Sequence, residues 1–93
     1  MLTFVWDREK AALNHKEHRL SFEDASTVFD DPFEVTVYDI DHSLDDRFIT
    51  LGRMANGRTV VVCYKEERVD LYRLISARYT TSRERRDYEE GKI

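Results

Sequence analysis

Arginine is concentrated near the end of the sequence, in the segment RLISARYTTSRERRDYEE at residues 73–90. Guanidinium groups are planar donors that match the geometry of phosphate with paired hydrogen bonds. The segment therefore predicts a site for an anion such as a phosphate group. The arginines of the segment are Arg73, Arg78, Arg83, Arg85 and Arg86.

The element that carries most of these arginines is predicted from a capping box. Thr81, followed three residues later by Glu84, indicates a helix that begins there and runs to about residue 90. The arginines would then occupy its first turns, where the helix dipole favours negative charge over positive charge. We therefore expect guanidinium groups of the last strand and of this helix to converge on one anion.

The alternative interpretation is a solvated helix face, on which each arginine is neutralised by the acidic residue four positions later. Such pairs stabilise a helix by only about 0.2–0.5 kcal/mol, and an arginine that precedes the acid is the weaker order. The pairs in question are Arg83–Asp87, Arg85–Glu89 and Arg86–Glu90.

The histidines are candidates for proton transfer, because an unperturbed imidazole titrates at about pH 6.5. His15, His18 and His42 lie on different predicted elements, and no HExxH spacing marks a metal site. The sequence also lacks GxGxxG, P-loop and GxSxG motifs, which argues against nucleotide enzymes and serine hydrolases of those classes. The single Cys63 lies in the apolar run VVVCY and is interpreted as a small core residue.

Composition limits the size and environment of the protein. With 93 residues, of which 41% are hydrophobic, residues 1–93 are expected to form one domain. The longest apolar run is too short to span a bilayer and the first residues do not resemble a signal peptide. We therefore expect a cytoplasmic protein with no membrane association.

Charge is unevenly distributed along the chain, whose net charge is −4. Residues 1–46 hold four basic and twelve acidic residues, whereas residues 47–93 hold eleven basic and seven acidic residues. This asymmetry suggests two surfaces that suit different partners.

Hydrophobic patterning predicts the elements that must position these side chains. Asp7 and Ser21 are candidate N-caps of two helices, and the second helix should end at the DDP segment. Asn56-Gly57 predicts a type I′ hairpin turn between two strands. The order β-α-α-β-β-β-β-α indicates an α+β domain, in which an antiparallel sheet has helices packed on it. After the first strand at 2–6, strands are predicted at about 33–39, 47–54, 58–66 and 69–77.

Several segments together resemble the BrnT-type toxin family, in collinear order over about residues 4–89. FVWDREKAALNHKEH is similar to the family's opening F-x-W-D-x-x-K-x-x-x-N-x-x-x-H, and LSFEDASTVFDDP to its second helix. DHSLDDRFITLG resembles its central segment and RLISARYTTSRERRDYE its C-terminal signature. The resemblance implies a compact RelE-like fold and a toxin of a type II toxin–antitoxin module that cuts RNA and inhibits translation.

The resemblance also implies partners and the chemistry of the reaction. No metal or organic cofactor is expected. A BrnA-like antitoxin with a ribbon-helix-helix part would wrap the toxin, and the complex would repress its own operon. Operator DNA would therefore be contacted only through the antitoxin.

The resemblance and the needs of metal-free RNA cleavage together give a set of candidate site residues. Such cleavage requires a proton carrier and cations that stabilise the charge of the transition state. The candidates are Arg78 and Arg85 for transition-state charge; Lys10, Arg47 and Arg83 for RNA phosphates; His18 or His42 for proton transfer; and Tyr88 for base stacking or proton donation.

One segment departs from the family pattern. Where relatives usually read Lys-His-Gly, this sequence has Glu17-His18-Arg19. The change removes a cation beside His18 and a flexible glycine after it. It supports a second hypothesis, a catalytically inactive subunit that acts only together with an antitoxin in a DNA-bound repressor.

Overall fold

The computed structural model describes residues 1–92, with the side chains of residues 42–44 excepted. Within this part of the chain, strands and α-helices follow the order β1-α1-α2-β2-β3-β4-β5-α3, which confirms the predicted α+β class. No helix in residues 1–92 is both long enough and apolar enough to cross a bilayer. The bounds are Thr3–Trp6 (β1), Arg8–His18 (α1), Phe22–Ser26 (α2), Val35–Tyr38 (β2), Arg47–Arg53 (β3), Thr59–Arg68 (β4), Leu71–Tyr79 (β5) and Ser82–Glu89 (α3), with 3-10 helices at Thr27–Asp30 and Ile40–Asp45.

The strands form one sheet with the spatial order β1-β5-β4-β3-β2. Strands β2 to β5 are the predicted antiparallel meander, and β1 adds to β5 in parallel, with Trp6 opposite Leu74. Because β1 ends there, the second half of β5 has no strand neighbour on that side among the described residues. This gap leaves the edge of β5 open to the end of α1.

Successive side chains along each strand point to opposite sides, so the sheet has two different faces. One face carries the hydrophobic core, to which α1 and α2 contribute. On β3 and β4 the side chains between the core positions, such as Ile49 and Cys63, point to the opposite face. The buried hydrophobic residues of the core are Leu20, Phe22, Ala25, Val28, Met54, Val60, Val62, Tyr64, Leu74 and Ala77.

Side-chain caps fix where the first two helices begin. The carboxylate of Asp7 accepts hydrogen bonds from the backbone N–H groups of Glu9 and Lys10, at 2.8 and 3.1 Å. Ser21 Oγ accepts one from the Asp24 N–H at 3.0 Å. Both predicted N-caps are therefore confirmed.

The second helix is shorter than the sequence predicts. Helix α2 ends at Ser26 and is followed by the 3-10 helix Thr27–Asp30 instead of continuing to the DDP segment. Thr27 Oγ1 donates to the Asp24 carbonyl oxygen at 2.7 Å. A side chain that takes this carbonyl competes with the next α-helical hydrogen bond, which explains the tighter turn.

Helix α1 ends in a strained position. Arg19 has φ 55° and ψ 36°, in the left-handed region, and its N–H donates to the His15 carbonyl at 2.8 Å. This is the position where the resembled family usually has glycine, which adopts the conformation without a steric penalty. Arg19 therefore keeps the geometry of the loop but strains its own backbone.

The turn between β3 and β4 differs from the predicted type I′ hairpin. Gly57 has φ 91°, but Asn56 is not among the residues with positive φ, and type I′ requires positive φ at both. The Gly57 N–H donates to the Met54 carbonyl at 2.9 Å, and the Met54 N–H donates to the Arg58 carbonyl at 2.7 Å. This is a type I turn followed by a left-handed glycine, so the hairpin is confirmed and its predicted turn type is wrong.

Candidate active site

A pocket on the sheet face opposite the core brings together side chains from separate parts of the chain. We call it the sheet pocket, and its volume is about 290 Å³. His18 at the end of α1, Arg47 of β3 and Arg78 of β5 all line it, although they are far apart in sequence. The remaining lining residues are Asp39, Ile49, Val61, Cys63, Ser76 and Ala77.

The attachment of α1 to β5 explains why His18 reaches this pocket. Asn14, one helical turn before His18, is buried between the two elements. Its Oδ1 accepts a hydrogen bond from the Ala77 N–H at 3.0 Å, and its Nδ2 donates to the Leu20 carbonyl at 3.1 Å. Asn14 therefore satisfies the β5 backbone where a strand neighbour is missing, and it holds the end of α1 beside the pocket.

The His18 imidazole is only partly covered. Its side chain is 39% exposed, and its Nε2 lies 3.9 Å from Oε2 of Glu17. Glu17 stands where the pattern of the resembled family has lysine. The residue next to the imidazole therefore carries a charge opposite to the one that the family pattern would provide.

Arg78 is held by a carboxylate from α3. Its Nη1 and Nη2 donate to Oε1 and Oε2 of Glu84, at 2.8 and 3.0 Å. Glu84 Oε1 also accepts from the Thr81 N–H at 2.8 Å, while Thr81 Oγ1 accepts from the Glu84 N–H at 3.1 Å, which completes the predicted capping box. The hydrogen bond from Arg78 is the main reason that the pKa of Glu84 falls to about 2. The same bond raises the pKa of Arg78, so this arginine stays charged and fixed in place.

Arg47 supplies a second cation to the sheet pocket. Its Nη2 lies 3.4 Å from Asp45 Oδ2, and its side chain is 25% exposed. Its Nε is buried and has no hydrogen-bond partner among the described residues. Buried donors are nearly always paired in folded proteins, so this one distinguishes Arg47 from an ordinary surface arginine.

Cys63 forms part of the pocket wall. Burial raises the pKa of its thiol, although the nearby positive charges of Arg47 and Lys10 act in the opposite direction. The thiol is therefore neutral near pH 7, which does not suit a nucleophile. Lys10, a predicted RNA-binding residue on α1, is exposed and does not line the pocket.

The arginines of α3 do not join Arg78. Arg85 lines a different depression, and Arg83 is exposed and lines neither of the two. The solvated-face alternative is not observed either, since Arg83, Arg85 and Arg86 form no ion pairs among the described residues. Two of their three potential partners contact other cations, with Arg53 Nη2 3.7 Å from Glu89 Oε2 and Lys92 Nζ 2.9 Å from Glu90 Oε1.

Tyr88 also lies away from the sheet pocket. Its hydroxyl donates to the carboxylate of Asp31, just after the 3-10 helix Thr27–Asp30. Burial and this bond raise the pKa of Tyr88. Burial by itself would raise the pKa of Asp31, but hydrogen bonds from Tyr88, from the Arg53 N–H at 2.7 Å and from the Phe33 N–H at 2.9 Å lower it. The Tyr88 hydroxyl therefore fastens α3 to the body of the domain.

The last histidine candidate cannot be placed at the pocket or away from it, because the side chain of His42 lies outside the described residues. In the described part of the chain, no group of three or more His, Cys, Asp and Glu side chains is arranged to hold a metal ion.

Residues 6–84 match the family model described as "Ribonuclease toxin, BrnT, of type II toxin-antitoxin system". The chain belongs to the BrnT toxin family. Its fold is similar to that of the Brucella abortus ribonuclease toxin BrnT in a 1.1 Å crystal structure, with a TM-score of 0.71 and 19% sequence identity over 88% of this chain and 100% of that chain. A comparison with curated protein sequences gives no match.

Membership of the BrnT family identifies the chain as a ribonuclease toxin of a type II toxin–antitoxin system. The region that matches the family contains His18, Arg47 and Arg78, and it ends at Glu84. Sequence reasoning treated Glu84 only as a capping residue and missed its contact with Arg78. The signal was present, since an arginine at the end of a strand and a carboxylate in the first turn of the next helix are brought together by a short connection.

Proposed function

We propose that the chain is an endoribonuclease that cuts RNA without a metal ion, by attack of a ribose 2′-hydroxyl on the adjacent phosphate. The observation that carries the proposal is the convergence of His18, Arg47 and Arg78 from α1, β3 and β5 in one pocket. An imidazole and two guanidiniums are the groups that such a reaction needs: a proton carrier and cations for the charge on phosphate.

Each group has a distinct role in this mechanism. His18 accepts the proton of the 2′-hydroxyl as its oxygen bonds to phosphorus. Arg78 and Arg47 stabilise the negative charge of the pentacoordinate phosphate, which a planar guanidinium can contact at two oxygens. The bond from phosphorus to the 5′-oxygen then breaks and that oxygen takes a proton, which leaves a 2′,3′-cyclic phosphate and a 5′-hydroxyl. His42 stays a candidate for the second proton transfer.

The anchoring of Arg78 supports this assignment. A guanidinium that is already fixed by Glu84 loses little conformational freedom when phosphate binds, so its stabilising effect is preorganised. The carboxylate offsets part of its charge, and Arg47 adds positive charge to the same pocket.

We propose further that the partner is a BrnA-like antitoxin with a ribbon-helix-helix part, and that the pair represses its own operon. Strand β2 is an outer strand of the sheet. Apolar side chains are exposed along and beside it: Phe33 at 76%, Val37 at 53% and Ile40 at 80%. An exposed apolar edge of this kind suits a protein partner that adds to the sheet.

The test of the nuclease proposal is cleavage of labelled RNA by the purified chain in the presence and absence of EDTA. Cutting that resists the chelator, leaves cyclic phosphate ends and disappears in His18→Ala supports the mechanism. Cutting that requires an added divalent metal contradicts it. His15→Ala is the matched control, because His15 is exposed on the same helix and does not line the sheet pocket.

A second candidate function is a catalytically inactive subunit that binds the antitoxin and contributes only to repression. The observation in its favour is the replacement of the usual Lys-His-Gly by Glu17-His18-Arg19, which places a carboxylate 3.9 Å from the imidazole. Stable binding of the antitoxin together with intact RNA in the cleavage assay would identify this function. Restoration of cutting by Glu17→Lys would show that the carboxylate is the cause.

A further inference from the structure

A second basic depression lies beside the sheet pocket and contains the α3 arginine that the pocket lacks. We call it the arginine cleft, and its volume is about 440 Å³. Arg53 at the end of β3, Arg58 in the turn and Arg85 of α3 line it, with Glu89 as the one carboxylate. Three guanidiniums and one carboxylate leave a net charge of about +2 in this cleft, which favours an anion.

The three arginines of the cleft are held to different degrees. The Arg58 guanidinium lies 3.8 Å from the centre of the Tyr79 ring, so its plane is stacked while its N–H edge stays available to an acceptor. Arg53 Nη1 donates to the Gly57 carbonyl at 3.2 Å. Arg85 forms no ion pair in the described part of the chain. The cleft therefore combines two oriented guanidiniums, Arg53 and Arg58, with Arg85, and among the described residues only Arg53 of the three forms an ion pair, with Glu89.

The cleft continues the sheet pocket along the same face of the sheet. Thr59 lines the cleft and Val61 lines the pocket, two residues apart on β4. Thr80, just after β5, lines the cleft, and Arg78, near the end of β5, lines the pocket; these two residues are also two positions apart. Residues two apart on a strand point to the same side and are separated by about 7 Å. One extended strand of RNA can therefore lie across both depressions.

We infer that the arginine cleft binds a phosphate of the RNA strand next to the one that is cut. This inference rests on the proposed nuclease function and gives Arg85 a different role from the transition-state role that its position in the family signature suggests. Arg58 and Arg85 contact the flanking phosphate, while Thr59 and Thr80, whose hydroxyls are hydrogen-bonded to each other at 2.6 Å, also line the cleft.

The binding test uses the doubly substituted variant Arg58→Ala/Arg85→Ala and a fluorescent ten-nucleotide RNA whose 2′-oxygens are methylated, so that it cannot be cut by the proposed reaction. Binding is measured by anisotropy over a range of salt concentrations. For single strands the slope of log K against log salt is about 0.7 per phosphate contact, so the variant should lose about 0.7 or more of the slope. We also expect at least about tenfold weaker binding at low salt, since charged hydrogen bonds are lost.

The cleavage test separates a flanking site from a transition-state role. A dinucleotide has only the phosphate that is cut, whereas a ten-nucleotide RNA also places a phosphate in the cleft. The double variant should lose about tenfold or more additional kcat/KM on the long substrate compared with the dinucleotide. An equal loss on both substrates would assign Arg85 to the reacting phosphate and overturn the inference.

Arg86→Ala is the matched control, since Arg86 is exposed on the same helix and lines neither depression. If the double variant binds the methylated RNA like Arg86→Ala, with the same salt dependence, the cleft is not a phosphate site. The anisotropy measurement does not require cutting. A chain that binds through the cleft but fails to cut would disprove the nuclease proposal alone.

Discussion

Arg78 of β5 and Glu84 of α3 are joined by two hydrogen bonds, from Nη1 to Oε1 at 2.8 Å and from Nη2 to Oε2 at 3.0 Å. The same carboxylate caps α3 by accepting the Thr81 N–H at 2.8 Å. One side chain therefore both starts the last helix and positions the arginine of the sheet pocket. The stability of α3 and the geometry of the candidate site depend on the same contact.

Glu84→Gln should lower the free energy of unfolding by about 1–2 kcal/mol at pH 7, because a charge-assisted pair at a partly exposed site is lost. The pKa of Glu84 lies at about 2 in the folded protein, below its ordinary value of 4.5. The stabilisation is therefore fully present above pH 4.5 and is lost as pH falls toward 2. Urea unfolding of the wild-type and Glu84→Gln proteins, measured from neutral to acidic pH, should show that the difference between their free energies of unfolding decreases across this pH range. Glu66 is an exposed carboxylate on β4, and it serves as the control. The free energy of unfolding of Glu66→Gln should differ little from that of the wild-type protein at any pH.

Arg78→Ala should reduce RNA cleavage by about 100-fold or more and abolish growth arrest in bacteria, because a positioned cation at the reacting phosphate is removed. Glu84→Gln is the informative companion, since it removes the anchor but keeps the guanidinium, and its loss of cleavage should be much smaller. Circular dichroism establishes that both variants are folded. Full toxicity of a folded Arg78→Ala protein would remove this residue from the mechanism.

Arg19→Gly should raise the free energy of unfolding by about 0.5–1 kcal/mol, because glycine adopts the left-handed conformation at the end of α1 without strain. Thermal or urea unfolding measures the change. Lys16→Gly, inside the same helix, should have the opposite sign and destabilise by about 1 kcal/mol. A destabilised Arg19→Gly protein would show that contacts of the arginine side chain outweigh the backbone strain.

Asn14→Ala should destabilise the domain by about 2–4 kcal/mol, because the Ala77 N–H and the Leu20 carbonyl would both lose their buried partner. Asn14→Asp keeps the acceptor for Ala77 but removes the donor to Leu20. Leu13→Ala, at a residue that is 54% exposed, is the control and should change stability by less than about 0.5 kcal/mol. An Asn14→Ala protein as stable as that control would contradict the bridging role.

Local signals in the sequence were sufficient for most of the fold. Asp7, Ser21 and Thr81 act as caps through bonds to residues two or three positions away, so their role can be predicted from spacing. The antiparallel meander of β2 to β5 follows from the alternation of apolar residues along the strands and from the short connections between consecutive strands. The parallel addition of β1 to β5 was not predicted, because no local pattern reports which strand the first one will join.

Less of the candidate site than of the fold could be predicted from the sequence. The arginine-rich segment drew attention to both Arg78 and Arg85, but their spacing does not reveal that the strand and the helix direct them into different depressions. Arg58 was not considered, since its stacking on Tyr79 depends on the alignment of β4 with β5. The positions of these arginine side chains depend on how segments that are distant in sequence pair and pack in the fold.

The pairing of the first strand with the last has a consequence for how the protein is made. A nascent chain that has emerged from the ribosome only as far as β4 lacks the strand that carries Arg78 and the strand that β1 joins. The contacts of β1 and α1 with β5 must therefore wait until β5 has been synthesised, whereas β2, β3 and β4 can already pair. A chain that stops at β4 therefore contains Arg47 but cannot assemble the sheet pocket.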